Sequence, residues 1–478
     1  MSSENLQTRW GAFIPLVTVF FFWGFVAASN DILIPVFKKE FDLSQGQSQL
    51  VSVAFYVAYT VGSLIYMAIS YFMKSDIINR IGYKNSLALG LSISALGTLL
   101  FYPAANNGSF PLMLSGLFIV GLGFSLQQTV ANPLAIALGP ITTGSQRLIT
   151  AGGINNLGTT IGPLIVTFAI FGSATSSNTD ASIESVKIPY LVLGVAFLAV
   201  AALLKMSSIP DRVVSDDVQT EEVSRETKHA LSFPQLVLGM IAIFVYVGVE
   251  VSTASNMPAY LESDLGFTTK DIAPYISLYW GSLMIGRWTG AVGAFTENKG
   301  AQMVGRFIAP YLAFGVFLLV NWIAGHDLAP FYVYAAIILV MVFADILSKG
   351  NPARMLLLFS ALGIVALAIG MATDGMVSVY AFTSVGLFCS TLWPCIFTLA
   401  IAGLGKATNQ GSNFLIMMIM GGGIVSWLQG YVADLSTIHF SYIVGIACFA
   451  YLAFYAWRVA GILRSQGISF DKTTGGGH

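Results

Sequence analysis

Asp31 lies inside FFFWGFVAASNDILIPVF (residues 20–37), a stretch otherwise apolar enough to sit in hydrocarbon. An ionised Asp at the centre of a bilayer costs about 2.5–3.5 kcal/mol on insertion scales, so such a group faces a polar cavity and marks an ion or substrate path, or pairs with another helix for structure. A second carboxylate, Glu250, stands in IFVYVGVEVSTASNMPAYL (243–261), followed by Ser252, Thr253, Ser255 and Asn256. A third polar group is the run SLQQTVANPLAIALG (125–139), in which Gln128 and Asn132 are four apart and share a helix face. Asn30, Asn155 and Asn156 add further amides. An amide both donates and accepts, which suits a polyhydroxylated ligand with the same duality. Trp23, Tyr246, Tyr279, Trp280, Trp393 and Trp427 offer flat faces for the C–H face of a sugar. The competing reading is that the amides glue helices together and the aromatics pack or sit at the membrane interface.

Those residues must be carried by membrane helices. Of 478 residues, 56% are hydrophobic and 9% charged, against roughly a quarter charged in a soluble chain. Apolar runs of about 20 residues recur along the length, enough to cross hydrocarbon as helices. They lack the alternation of barrel strands, so an all-α polytopic bundle is the architecture that satisfies the backbone in lipid. Fourteen spans are expected, from 11–37 to 438–460, including 146–171 and 272–295. With the N-terminus inside, eighteen of the 22 Lys and Arg fall on the inner side and four, Lys38, Lys39, Lys187 and Lys270, on the outer. Both termini are therefore expected in the cytoplasm of a multi-pass plasma-membrane (bacterial inner-membrane) protein. The opening of the chain lacks the basic region and short apolar core of a cleavable leader and reads as the first span. Arg287 lies near the cytoplasmic end of its span, where it can snorkel or pair structurally, and Asp345 and Asp434 lie near span ends and read as boundary charges. Cys389, Cys395 and Cys448 fall within spans and read as small buried hydrophobes. The four histidines show no metal spacing, and there is no nucleophile elbow or close carboxylate pair, so an enzyme is not expected.

The one long polar interruption, with six acidic and three basic residues between Ser207 and Ser232, divides the chain. The expected organisation is an N-terminal six-helix bundle over 1–208, a cytoplasmic linker over 209–232, a C-terminal bundle over 233–462 and a cytoplasmic tail over 463–478. The two halves echo each other: LGPITTGS (138–145) follows the span with Pro133, and LGKATNQGS (404–412) the span with Pro394. Such internal repeats build transporters with substrate near the midplane between them. Many of the 48 glycines cluster within spans, as in GLFIVGLG (116–123), AGGINNLG (151–158) and MGGGIVSWLQG (420–430), where they allow close helix approach or bending.

NDILIPVF (30–37), Gly82-Tyr83-Lys84, FYPAA (101–105), TVANPLAIALGP (129–140), YVGVEVS (246–252), IGRWTG (285–290) and GSNFLIMMIMGGGIVSWLQGYVAD (411–434) together resemble the fucose–proton symporter family of the major facilitator superfamily. The resemblance spans nearly the whole chain. It implies two six-helix bundles, with cation-coupled hexose uptake by alternating access. Against twelve family helices, the surplus pair falls near 301–348. Asp31 matches the family's protonatable Asp, but Gln128 replaces a Glu before T-x-A-N-P, Ala28 stands in a shortened asparagine-rich stretch, and Gly152 replaces a Gln. These departures turn the expected substrate from fucose toward glucose/galactose or an amino sugar such as N-acetylglucosamine. Asp31 and Glu250 are the expected cation-coupling pair, for a proton or for sodium at a site near Asp31. Asn30, Gln128, Asn132, Asn155, Asn156, Glu250, Asn256 and Trp393 are the expected sugar contacts. The expected partners are a hexose and membrane lipid, without nucleic acid or soluble cofactor, in a monomeric functional unit. An uncoupled facilitator and a transporter-like nutrient receptor are the alternatives.

Overall fold

The structure, a computed structural model, describes residues 8–73, 77–139, 144–171, 186–211, 230–292, 298–404, 407–468 and 470. Residues 212–229 of the expected linker and most of the expected tail lie outside them. The first half folds as α1 (Trp10–Glu40), α2 (Leu50–Phe72), α3 (Tyr83–Leu99), α4 (Phe110–Ala137), α5 (Gly144–Phe171) and α6 (Lys187–Met206). The second half continues as α7 (Pro234–Leu265), α8 (Thr269–Ala291), α9 (Lys299–Ile323), α10 (Tyr334–Ser348) and α11 (Pro352–Ala372). It closes with α12 (Gly375–Cys389, resuming over Leu392–Ile401), α13 (Thr408–Met417, resuming over Gly421–Leu435) and α14 (Ile443–Ser465).

Among the described residues twelve helices are long and apolar enough to cross a membrane, which corrects the expectation of fourteen. The two expected spans outside that set are α5 and α8. Both are helical, over 28 and 23 residues, but neither is an apolar rod. α5 carries Asn155, Asn156, Thr159 and Thr160, and α8 carries Lys270, Asp271, Ser277, Ser282 and Arg287. They pack on each other between the halves, where a helix meets protein on its polar side and lipid apolarity is not demanded of it. The pair expected as surplus, near 301–348, is within the twelve. α9 leans on α8 and α10 and turns Val304, Ile308, Leu312 and Leu319 outward at helical spacing, a lipid-facing stripe. Its Arg306 pairs with the buried Asp345 of α10 at 3.1 Å, so Asp345 is an internal ion-pair partner that joins α9 to α10.

Close approach fixes the bundle. A Cβ on Gly158 of α5 would stand 2.2 Å from Phe21 O of α1, and one on Gly24 of α1 would stand 2.0 Å from Asn155 O. α1 and α5 therefore touch backbone to backbone, the small-residue packing that replaces hydrophobic drive in lipid. Between the halves, Gly423 and Gly430 of α13 play the same part against Val53 of α2 and the Gln45–Ser48 turn before it.

At the end away from the linker the halves are also joined by hydrogen bonds. Asp434 accepts from the backbone N–H of Gln45 (2.9 Å) and of Gly46 (2.8 Å). Gln45 Nε2 donates to Asn256 Oδ1 at 3.0 Å, and Gln49 Nε2 donates to Ser255 O at 3.1 Å. Asp434, expected as a boundary charge, thus caps a turn of the other half.

Gly158→Val is expected to force α5 off α1 at a cost of at least about 1–3 kcal/mol. The check is a fall in the melting temperature of the detergent-purified protein, with Gly315→Ala, in the helical backbone of α9 and with nothing near its Cβ, as the reference.

Candidate functional site

α8 is the hub of the interior. Ser277 Oγ donates to Thr160 O of α5 at 2.7 Å, Tyr279 Oη to Glu250 O of α7 at 2.7 Å, and Trp280 Nε1 to Asp31 Oδ2 of α1 at 2.8 Å. About two turns further on, Arg287 Nη1 reaches Asn156 Oδ1 at 3.2 Å and Gly152 O at 3.4 Å, while its Nε donates to Ser390 O of its own half at 3.3 Å. These four positions on one helix bond to α1, α5 and α7, the first two across the interface between the halves, and to the break in α12. This is why α8 cannot be apolar.

Asp31 is 2% exposed. Beside it Asn30 is also buried, and neither atom of its amide has a hydrogen-bond partner among the described residues. Glu250 is half-buried and accepts a hydrogen bond from Tyr246, one turn earlier on the same helix. The guanidinium of Arg287 acts on Glu250 electrostatically. Trp393 of α12 tilts against Tyr246 with ring centroids 6.2 Å apart. On the opposite side Gln128 Nε2 donates to Tyr59 Oη at 3.2 Å, and Asn132, one turn on, is half-buried. Gln128, Asn132, Glu250, Arg287 and Trp393 are all partly accessible though placed on the inner helices. They bring donors, acceptors and aromatic faces to the inner helices of both halves.

The remaining expected contacts have other work. Asn155 Nδ2 donates to Phe20 O at 2.9 Å and ties α5 to α1. Asn256 is fully buried in the closure away from the linker, held by Gln45, Ser252 and Ser426. Gln127 is core glue, accepting from Trp23 Nε1 at 3.0 Å and donating to Ser94 Oγ at 3.1 Å. Trp427 is 41% exposed and stacks on Tyr431 at the outer face of the bundle, away from the interior. Arg287, expected near a span end either to snorkel or to pair structurally, points inward and bonds to protein. The signal that locates it is the chain of polar residues Ser277, Ser282 and Arg287 along one helix. The three cysteines are buried and free. Among the described residues no group of three or more His, Cys, Asp or Glu could hold a metal ion.

A buried carboxylate set between two helix bundles, facing a polar interior inside a membrane, defines a secondary transporter. Residues 16–344 match the model of the Major Facilitator Superfamily, and the chain belongs to that family. It is 33% identical over 460 residues to the glucose/galactose transporter of Brucella abortus, covering 95% of each chain. It is 28% identical over 464 residues to the L-fucose-proton symporter of Escherichia coli, covering 93% of this chain and 92% of that one. Among solved structures, FucP, a transporter of this superfamily in the outward conformation, superposes with a TM-score of 0.62 at 26% identity, over 94% of this chain and 98% of that one.

Arg287→Lys keeps the charge but loses the planar fork that serves three acceptors on two halves. We expect initial sugar uptake to fall by about tenfold, given about 1.5–3 kcal/mol for a charged hydrogen bond. Uptake into proteoliposomes at matched protein content checks this.

Proposed function

We propose that this chain is a proton-coupled hexose symporter, with glucose or galactose as the substrate. The observation that carries the reading is Asp31: a carboxylate enclosed by protein at membrane depth, bonded by an N–H donor from the opposite half. A sodium ion asks for several convergent oxygens, and the partner on this carboxylate is a nitrogen donor, which supports a proton as the cargo cation. The names of the relatives support a hexose, and Gln128 in place of a carboxylate supports the glucose/galactose branch. Glu250, Arg287, Gln128, Asn132, Asn156 and Trp393 are the sugar contacts in this reading. Asn30 and its unpartnered amide stand ready beside Asp31.

The working units are the bundles 1–208 and 233–462, with the pair near 301–348 riding on the second and the linker 209–232 joining them. Both termini face the cytoplasm of a bacterial inner membrane, following the asymmetry of Lys and Arg. The protein acts as a monomer and needs no soluble cofactor. A proton moving down 100 mV contributes about 2.3 kcal/mol, enough for roughly a 50-fold sugar gradient.

The test is uptake of labelled hexoses into proteoliposomes under separately imposed proton and sodium gradients, for the wild type and Asp31→Asn. The expected result is accumulation driven by the proton gradient alone, lost in Asp31→Asn while counterflow exchange survives. Accumulation under sodium alone would move the cation assignment. Transport indifferent to both gradients and to the substitution would make the chain a facilitator.

A further inference from the structure

We propose that Tyr334 of α10 is a positioning residue for Arg287: its hydroxyl fixes the rotation of α8 from behind, and the α9–α10 pair is the brace that carries it. The inference rests on the reading of Arg287 as a sugar contact. No residue of that site comes from α9 or α10, yet both helices pack on the helix that supplies Arg287.

α8 has two faces with different tasks. At about 100° per residue, Trp280 and Arg287, seven positions apart, point the same way, toward Asp31 and Asn156 of the other half. Tyr275 and Ser282 are also seven apart and lie about 200° round the helix from them. Both are buried, under side chains of the α9–α10 pair. Tyr275 meets Phe331, from the turn before α10, with ring centroids 5.2 Å apart. Phe331 stands edge-on to Phe317 of α9 at 5.2 Å, and Phe317 stacks on Phe314 at 5.9 Å. Phe314 tilts against Tyr334 at 6.2 Å, and Tyr334 Oη returns to α8, 2.7 Å from Ser282 Oγ.

A hydroxyl has one hydrogen, and Ser282 gives its own to Leu278 O at 2.7 Å. Tyr334 is therefore the donor in this pair and Ser282 the acceptor. Apolar contact is non-directional and tolerates a small turn of the helix, whereas a hydrogen bond weakens steeply as its angle departs from linear. The Tyr334 bond is thus the contact on the back face that sets an angle. Side-chain tips lie about 5–6 Å from the helix axis, so a turn of about 20° carries them about 2 Å. That displacement parts Arg287 from Asn156, now 3.2 Å away. Tyr334 touches neither sugar nor cation and acts through Ser282 and the rigid helix between.

Tyr334→Phe keeps the ring and removes the donor, and it leaves Ser282 still bonded to Leu278 O. Tyr311→Phe is the control: its hydroxyl donates to Ala335 O at 2.9 Å, within the α9–α10 pair and away from α8. The measurement is the concentration dependence of equilibrium exchange of labelled glucose and galactose in proteoliposomes, with the melting temperature read on the same protein. For Tyr334→Phe we expect KM to rise about fivefold, with the maximal rate within about twofold and the melting temperature within about 3 °C of wild type. Tyr311→Phe should leave KM unchanged. In an Arg287→Lys background Tyr334→Phe should add less than about twofold, because both act on one contact. An unchanged KM in Tyr334→Phe, alone or with a lower melting temperature, would overturn the proposal. So would an equal rise in Tyr311→Phe, which would make the effect one of packing, or the full fivefold effect in the Arg287→Lys background. Wild-type KM in Arg287→Lys itself would instead sink the reading of Arg287 as a sugar contact, and the positioning role with it.

Discussion

A carboxylate can be kept in hydrocarbon only if protein covers it on every side, and here two separate bundles share that cover. Asp31 comes from α1 and its donor from α8. The requirement extends outward from this pair. α8 must bring polar groups to face α1, α5 and α7, so it cannot also present an apolar surface to lipid. α9 covers the far side of α8 and turns its own stripe of branched side chains outward. α1 and α5 must then lie close enough to enclose Asp31 from behind, which the glycine contacts at Gly24 and Gly158 allow. Polarity inside thus dictates both where glycine is needed and which helices are exempt from being hydrophobic.

Much of this was legible in the sequence, because the bilayer makes charge and hydropathy unusually informative. Asp31 and Glu250 stood out because an apolar context makes a carboxylate conspicuous. What the sequence could not separate was an amide that faces an internal space from one that ties helices. Asn155 and Asn156 are adjacent, yet the first bonds a carbonyl of α1 and the second meets Arg287 across the halves. Adjacent residues on a helix point about 100° apart, and only the packing angle decides which one faces inward. For Arg287 the sequence left snorkelling and structural pairing open for a related reason: distance from a span end is a one-dimensional measure, and the bonds to Asn156, Gly152 and Ser390 select pairing. The count of fourteen spans exceeded the twelve apolar helices because length alone does not tell a lipid-facing helix from one enclosed by protein.

Gln128 illustrates how one substitution propagates through such a site. Where the resembling family has a carboxylate, this chain has an amide that donates to Tyr59 Oη. The exchange removes a charge from the first half and leaves Glu250, on the second, within electrostatic reach of the guanidinium of Arg287. The charged groups around the site are then Asp31 on one half and Glu250 and Arg287 on the other. An electrically balanced pair can stay in place while cargo moves, whereas an isolated acid has to change its charge as the halves rearrange.

The closure away from the linker has one more property. Gln49 Oε1, Ser252 Oγ, Ser255 Oγ and both side-chain atoms of Gln429 are buried there with no hydrogen-bond partner among the described residues. A buried polar atom left without a partner costs about 1–3 kcal/mol. The seam is therefore cocked: Asp434 and the glycine contacts hold it shut against groups that gain partners once water enters. A gate assembled wholly from satisfied contacts would sink into a deep minimum and turn over slowly. Leaving these atoms unpaired makes the shut position shallow, so that reopening after delivery starts partway up its own barrier.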